Sequence, residues 1–146
     1  PTSLQVVRLH KGHLSMQVSV EGVPSHTGFP HLGKNAAVAG AQVIEAIAQL
    51  ATRHESVRTE ASQYFPELES FPVLAVATIQ AGKAINVVPE SCVLGLGLRL
   101  LPDQDQAAAI NELEEVISKS SHRIDLYTSF VYLFTRFCSQ EKWPVQ

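Results

Sequence analysis

Cys92-Val93-Leu94-Gly95-Leu96-Gly97-Leu98-Arg99-Leu100 sets cysteine and leucine at every even position against valine, glycine and arginine at the odd ones. A period of two places one row of side chains on a buried sheet face and the other row outside it. This stretch therefore predicts a half-buried strand. Toward the N-terminus, Leu14, Met16, Val18 and Val20 alternate with Ser15, Gln17 and Ser19 in the same way. Gly22-Val23-Pro24 closes that strand, because proline cannot donate to a ladder. Residues 73–80 form a short apolar run rich in β-branched side chains, a further strand, and Arg123-Ile124-Asp125-Leu126-Tyr127 resumes alternation as a fourth.

Two helical patterns separate these strands. Asn35 is placed to cap a helix from 36 to about 53, with Ala37, Ala41, Ile44, Ala48 and Ala51 on one face and Val43, Ile47 and Leu50 widening it. Pro102-Asp103 opens the second helix, with Asp103 as cap and Gln106 as the reciprocal half of a capping box. There Ile110, Leu113, Val116 and Ile117 form the inner face, and Glu112, Glu114 and Glu115 stay wet. The order β-α-β-β-α-β predicts an α+β, ferredoxin-like sandwich: a four-stranded antiparallel sheet with two helices on one face. Residues 52–72 are polar and carry Pro66 and Pro72, so this connection is expected at an edge or interface. Residues 81–90 read as an ordered, packed connection. Phe130-Val131-Tyr132-Leu133-Phe134-Thr135-Arg136-Phe137 is aromatic without clean alternation. It could continue the last strand, cover the open sheet face or contact another chain.

With 146 residues, 45% hydrophobic and 17% charged, the chain fits one globular domain. The net charge of -3 and the scattered arginines and lysines leave no basic stripe to neutralise phosphates, which argues against nucleic acid. No apolar run approaches a membrane span. Cys92 and Cys138 are too few and isolated for a disulfide framework or a zinc site, so a reducing, cytoplasmic setting is the default. Pro1-Thr2-Ser3, without a methionine, suggests a piece of something longer.

Of six histidines, His10 and His13 stand three apart, a spacing that chelates metal best on a helix, whereas this segment reads as extended. His54 and His122 read as surface residues near helix ends. There is no Gly-x-Ser-x-Gly elbow and no phosphate fingerprint. Three positions remain. His26 sits at the strand-to-helix turn, accessible and firmly carried. Asn86 lies among apolar neighbours before Pro89, where an amide needs partners or a purpose. Arg99 lies in a strand, where a guanidinium either faces solvent or grips a carboxylate. Each also has a plain structural role: a turn-stabilising histidine, a turn-forming asparagine, an exposed strand arginine.

His10-Lys11-Gly12-His13, the strand ending Val20-Glu21-Gly22, and Ser25-His26 followed by Pro30, Gly33, Asn35 and Ala36 together resemble a known lid domain. It is that of the zinc-dependent aminoacylase, acetylornithine deacetylase and succinyl-diaminopimelate desuccinylase family, which includes carboxypeptidases and di- and tripeptidases. Ala81-Gly82-Lys83-Ala84-Ile85-Asn86-Val87-Val88-Pro89 and Leu98-Arg99-Leu100-Leu101-Pro102 carry the second half of the match. The chain departs from the pattern at Ala81, where a second glycine is common, and after Tyr127. The resemblance implies a linker from a metal-binding domain over 1–13, a lid and dimerisation domain over 14–127, and an aromatic tail over 128–146. It implies that two metal ions, zinc or another divalent metal, and a glutamate base belong to the larger domain, with no metal site in this chain. It implies a homodimer in which His26 reaches the partner's site to stabilise the oxyanion. Asn86 and Arg99 would orient an N-acyl amino acid or peptide, and Gly82 would permit close backbone approach. An acetylornithine deacetylase-like parent and an inactive isolated chain are the first expectations; a free-standing ferredoxin-like binding module is the alternative.

Overall fold

The computed structural model describes residues 10–121 and 127–135. In chain order these are β1 (Gly12–Glu21), α1 (Ala36–His54), β2 (Val73–Ala81), β3 (Ser91–Leu100), α2 (Gln106–Ser121) and β4 (Tyr127–Thr135). The class is α+β: an antiparallel sheet with two helices. β3 lies between β2 and β1, with Leu14 opposite Leu98, Met16 opposite Leu96 and Val18 opposite Leu94. The sheet order is β2-β3-β1-β4.

Alternation does what the sequence predicts of it. Leu14, Met16, Val18 and Val20 of β1 and Cys92, Leu94, Leu96, Leu98 and Leu100 of β3 are all buried in one cluster with α1 and α2. Fully burying side chains of this size contributes roughly 1.5–3 kcal/mol each. β2 keeps Leu74 and Val76 on that face, then takes up one extra residue between Val76 and Thr78, so that Ile79 rather than Thr78 faces Leu94. Such a bulge bends an edge strand and preserves its apolar face beyond the bend.

Four expectations are corrected or refined. The buried face of α1 is Ala36, Ala39, Gly40, Val43, Ile47, Leu50 and His54, whereas Ala41 and Ala48 are exposed. Alanine costs little on either side of a helix, so the branched residues decide its rotation. The 52–72 connection, expected only as a polar segment at an edge or interface, holds 3-10 turns at Glu60–Tyr64 and Glu67–Glu69. The last strand, placed at 123–127 with the aromatic stretch as one way to continue it, runs through Tyr127–Thr135 beside β1, with Glu21 opposite Tyr127 and His13 opposite Thr135. Residues 122–126, Cys138, the Pro1-Thr2-Ser3 opening and the end of the tail fall outside the described residues. Finally, α2 begins at Gln106, and Asp105 rather than Asp103 caps it, accepting from the Ala107 amide at 2.9 Å.

Asp103 serves another element. Its carboxylate accepts from the Thr59 hydroxyl at 2.7 Å and the Ala61 amide at 3.0 Å, tying the connection before β2 to the start of α2. Burial pushes its pKa up, but these hydrogen bonds outweigh burial and hold it below the usual carboxylate value. A lowered folded pKa contributes stability that is present above the unfolded value, about 3.9, and is lost as pH falls through the folded one. Asp103→Ala should therefore cost about 1 kcal/mol at neutral pH, with the difference from wild type closing in acid. Urea midpoints at pH 7 and pH 3 measure this; an equal difference at both would show that the carboxylate charge is not what holds the turn.

Candidate functional site

Two loops meet beyond the end of β1. The first, 22–35, joins β1 to α1; the second, 82–90, joins β2 to β3. Proline at 24, 30 and 89 keeps either from continuing a strand, so their main-chain groups pair with each other instead. Gly22 N donates to Glu90 O (2.7 Å), Val88 N to Ser25 O (2.8 Å), Thr27 N to Asn86 O (3.0 Å) and Ala36 N to Pro89 O (3.0 Å). His26 and Val87 form a bridge within this zipper. Gly82 leaves β2 with φ of 75°, a conformation that disfavours any side chain. The Lys83 ammonium then meets the Glu90 carboxylate at 2.6 Å and closes the neck of the second loop, and that hydrogen bond together with the carboxylate's charge raises the Lys83 pKa.

The zipper brings His26 and Asn86 to one tip. His26 is exposed; its Nδ1 lies 3.0 Å from the Gly28 amide, and the Phe29 ring sits 6.4 Å from the imidazole at 53°. Phe29, Leu32, Ile85 and Val87, all apolar, are exposed at or near this tip. Asn86 is exposed as well, so the expectation of an amide needing partners in apolar surroundings does not hold. The tip offers an imidazole, a carboxamide and apolar surface, with no carboxylate or thiol arranged for acid–base chemistry. Among the described residues no three His, Cys, Asp or Glu side chains are grouped to hold a metal ion.

Arg99 is not part of that tip. It stands on β3 opposite His13, near the start of β1, while the tip follows Glu21 at the other end. At about 3.3 Å per residue, the length of β1 between them is roughly 26 Å. Arg99 is exposed on the sheet face away from the helices. Its surroundings are basic. Lys11 donates to Phe71 O at 2.7 Å and lies 5.6 Å from the Phe71 ring centre, and the Arg58 guanidinium lies 5.2 Å from the same centre. Burial pushes the Lys11 pKa down, Glu69 offsets part of this, and the charge of Arg99 lowers it further. This end is thus suited to an anion, the tip to a neutral polar group.

Sequence reasoning missed several pairings because their partners are far apart along the chain. His54, expected at the surface, is buried, and its Nε2 lies 3.2 Å from Glu112, linking the end of α1 to α2. The Lys83–Glu90 pair was the more accessible miss, since both residues flank the loop that carries Asn86.

The four residues thus divide between two ends of an α+β fold, His26, Asn86 and Gly82 at the paired loops and Arg99 at the opposite end of β1. The chain belongs to the peptidase dimerisation domain family, whose pattern it matches over residues 8–125. It is 29% identical over 128 residues to the acetylornithine deacetylase of Buchnera aphidicola subsp. Acyrthosiphon pisum (strain Tuc7), covering 85% of this chain and 32% of that protein. It is 31% identical over 128 residues to a "Probable carboxypeptidase" of Paracoccidioides brasiliensis (strain Pb18), covering 85% of this chain and 26% of that protein. Among solved structures, the aminobenzoyl-glutamate utilization protein of Klebsiella pneumoniae superposes with a TM-score of 0.65 at 21% identity, over 84% of this chain and 28% of that one. The aminopeptidase PepT of Bacillus cereus ATCC 10987 does so with a TM-score of 0.62 at 12% identity, over 90% of this chain and 32% of that one. These structures share the fold. The chain spans about a third or less of the length of the relatives it matches.

Proposed function

We propose that this chain is the lid and dimerisation domain, of ferredoxin-like topology, in a cytoplasmic metal-dependent amidohydrolase or exopeptidase. The parent acts on N-acyl amino acids or small peptides, with an acetylornithine deacetylase-like substrate as the first choice. The observation that carries this is the zipped pair of loops, which presents His26 and Asn86 together on an exposed tip. In this reading His26 and Asn86 serve the partner subunit's site, with Gly82 allowing close backbone approach. Arg99, a β1 length away, binds the free carboxylate in its own subunit. The described histidines do not fit a metal site: His13 Nε2 lies 3.0 Å from the Ser15 hydroxyl, and no third ligand joins His10 and His13. In this reading the metal ions, zinc or another divalent metal, belong to the other domain, and the isolated chain is inactive.

The homodimer has a physical basis in β2. It is an edge strand of nine residues with no charged side chain, and Ile79 on it is 56% exposed. Uncharged, apolar edges are templates for pairing with another chain, and a second copy supplies the same edge in isologous register. Sedimentation equilibrium should show a dimer that Ile79→Lys converts to monomer, with the helical circular dichroism unchanged. A wild-type chain that stays monomeric at every concentration tested counts against the reading.

A further inference from the structure

We propose that the Gly28 main-chain amide locks His26 as the Nε2–H tautomer, making the free edge of the ring a neutral hydrogen-bond donor rather than a base or a metal ligand. The two atoms stand 3.0 Å apart, Gly28 N to His26 Nδ1. An amide N–H can only donate, so Nδ1 accepts through its lone pair, and the single proton of the neutral ring resides on Nε2. No described residue bonds Nε2, which leaves that N–H available to a ligand. The ring's frame is fixed from two other directions: His26 O accepts from the Phe29 amide at 2.8 Å, and the backbone bridges to Val87. Gly28 is therefore a positioning residue acting through its main chain, and the Phe29 ring beside the imidazole limits its swing.

The chemical consequence deepens the function proposed above and rests on it: a donor already protonated at Nε2 meets a developing oxyanion with no proton transfer and no reorganisation. It has no lone pair at Nε2 with which to accept a proton or hold a metal ion. The tautomer itself stands independently of that function.

Two measurements separate the two. In the chain, long-range nitrogen–proton correlation spectra should show His26 protonated at Nε2, and the Gly28 amide should exchange slowly in wild type and rapidly in His26→Ala. A ring protonated at Nδ1, or a Gly28 amide exchanging equally fast in both, overturns the lock. In the complete enzyme, His26→Gln places an amide donor near the Nε2 position, whereas His26→Asn places its polar atoms nearer Nδ1. The glutamine variant should keep at least about tenfold more kcat than the asparagine variant, at similar KM, as expected of an oxyanion donor. The reverse order overturns donation from Nε2. Wild-type kcat in both variants, with the spectra as expected, overturns the catalytic role of His26 and leaves the lock standing.

Discussion

Replacing His26 with alanine in the complete enzyme is expected to lower kcat about a hundred- to a thousand-fold, the usual cost of one oxyanion donor, with KM changed only a few-fold. The split reflects when the interaction forms: a donor aimed at developing charge contributes little while the substrate carbonyl is still neutral. The geometry adds a sharper version of the same experiment. His26 and Arg99 lie at opposite ends of β1, so one subunit's tip and the same subunit's basic end cannot both serve a single small-molecule site. A His26→Ala protomer mixed in equal amounts with a protomer whose metal domain is inactive should regain about a quarter of wild-type activity, since half the random pairs contain one intact composite site. An Arg99→Ala protomer treated in the same way should regain none. Recovery with Arg99→Ala, or no recovery with His26→Ala, would reverse the assignment of residues to subunits.

A clear loss of stability should come from Gly40→Ala. In an exposed helix interior this change gains up to about 1 kcal/mol, because glycine is the poorer helix former. Here the opposite sign is expected. Gly40 is where α1 meets β3, and a Cβ at that position would stand 2.3 Å from Cys92 Sγ and 3.2 Å from Cys92 Cβ. Cys92 is fully buried, so its sulfur cannot turn out into solvent. Overpacking of this kind costs roughly 1–3 kcal/mol, which lowers the melting temperature by about 2–4 °C for each kcal/mol in a domain of this size. Adding Cys92→Ala to Gly40→Ala removes the sulfur and should recover most of the loss. Thermal melts of the single and double variants decide the matter, and a higher melting temperature for Gly40→Ala alone would contradict the close approach.

The strands were legible because a two-residue period survives any tertiary context that buries one face. What the sequence left open were choices between equivalent residues. Alanines stand on several sides of α1, and only the positions of Val43, Ile47 and Leu50 against the sheet show which of them turn inward. Asp103 and Asp105 both suit a helix start; the former is diverted by Thr59 and Ala61, more than forty residues earlier in the chain. His54 reads as a surface residue until α2 brings Glu112 to it. The candidate residues could be picked out of the sequence one by one, but their arrangement could not. His26, Asn86 and Arg99 carry the family resemblance together, yet antiparallel pairing of β1 with β3 sends Arg99 to the far end. Sequence spacing carries no sign of strand direction, so this separation could not be read from it.

The zipper between the two loops is built from main-chain atoms, and that bears on which changes the tip can absorb. The pairings of Gly22 with Glu90, Ser25 with Val88 and Thr27 with Asn86 use no side-chain atom. Mutation can therefore restyle the rim of the tip, at Leu32, Ile85 or Val87, without shifting the imidazole. The apolar rim and the placement of His26 are thus under separate control, one set by side chains and the other by the main chain.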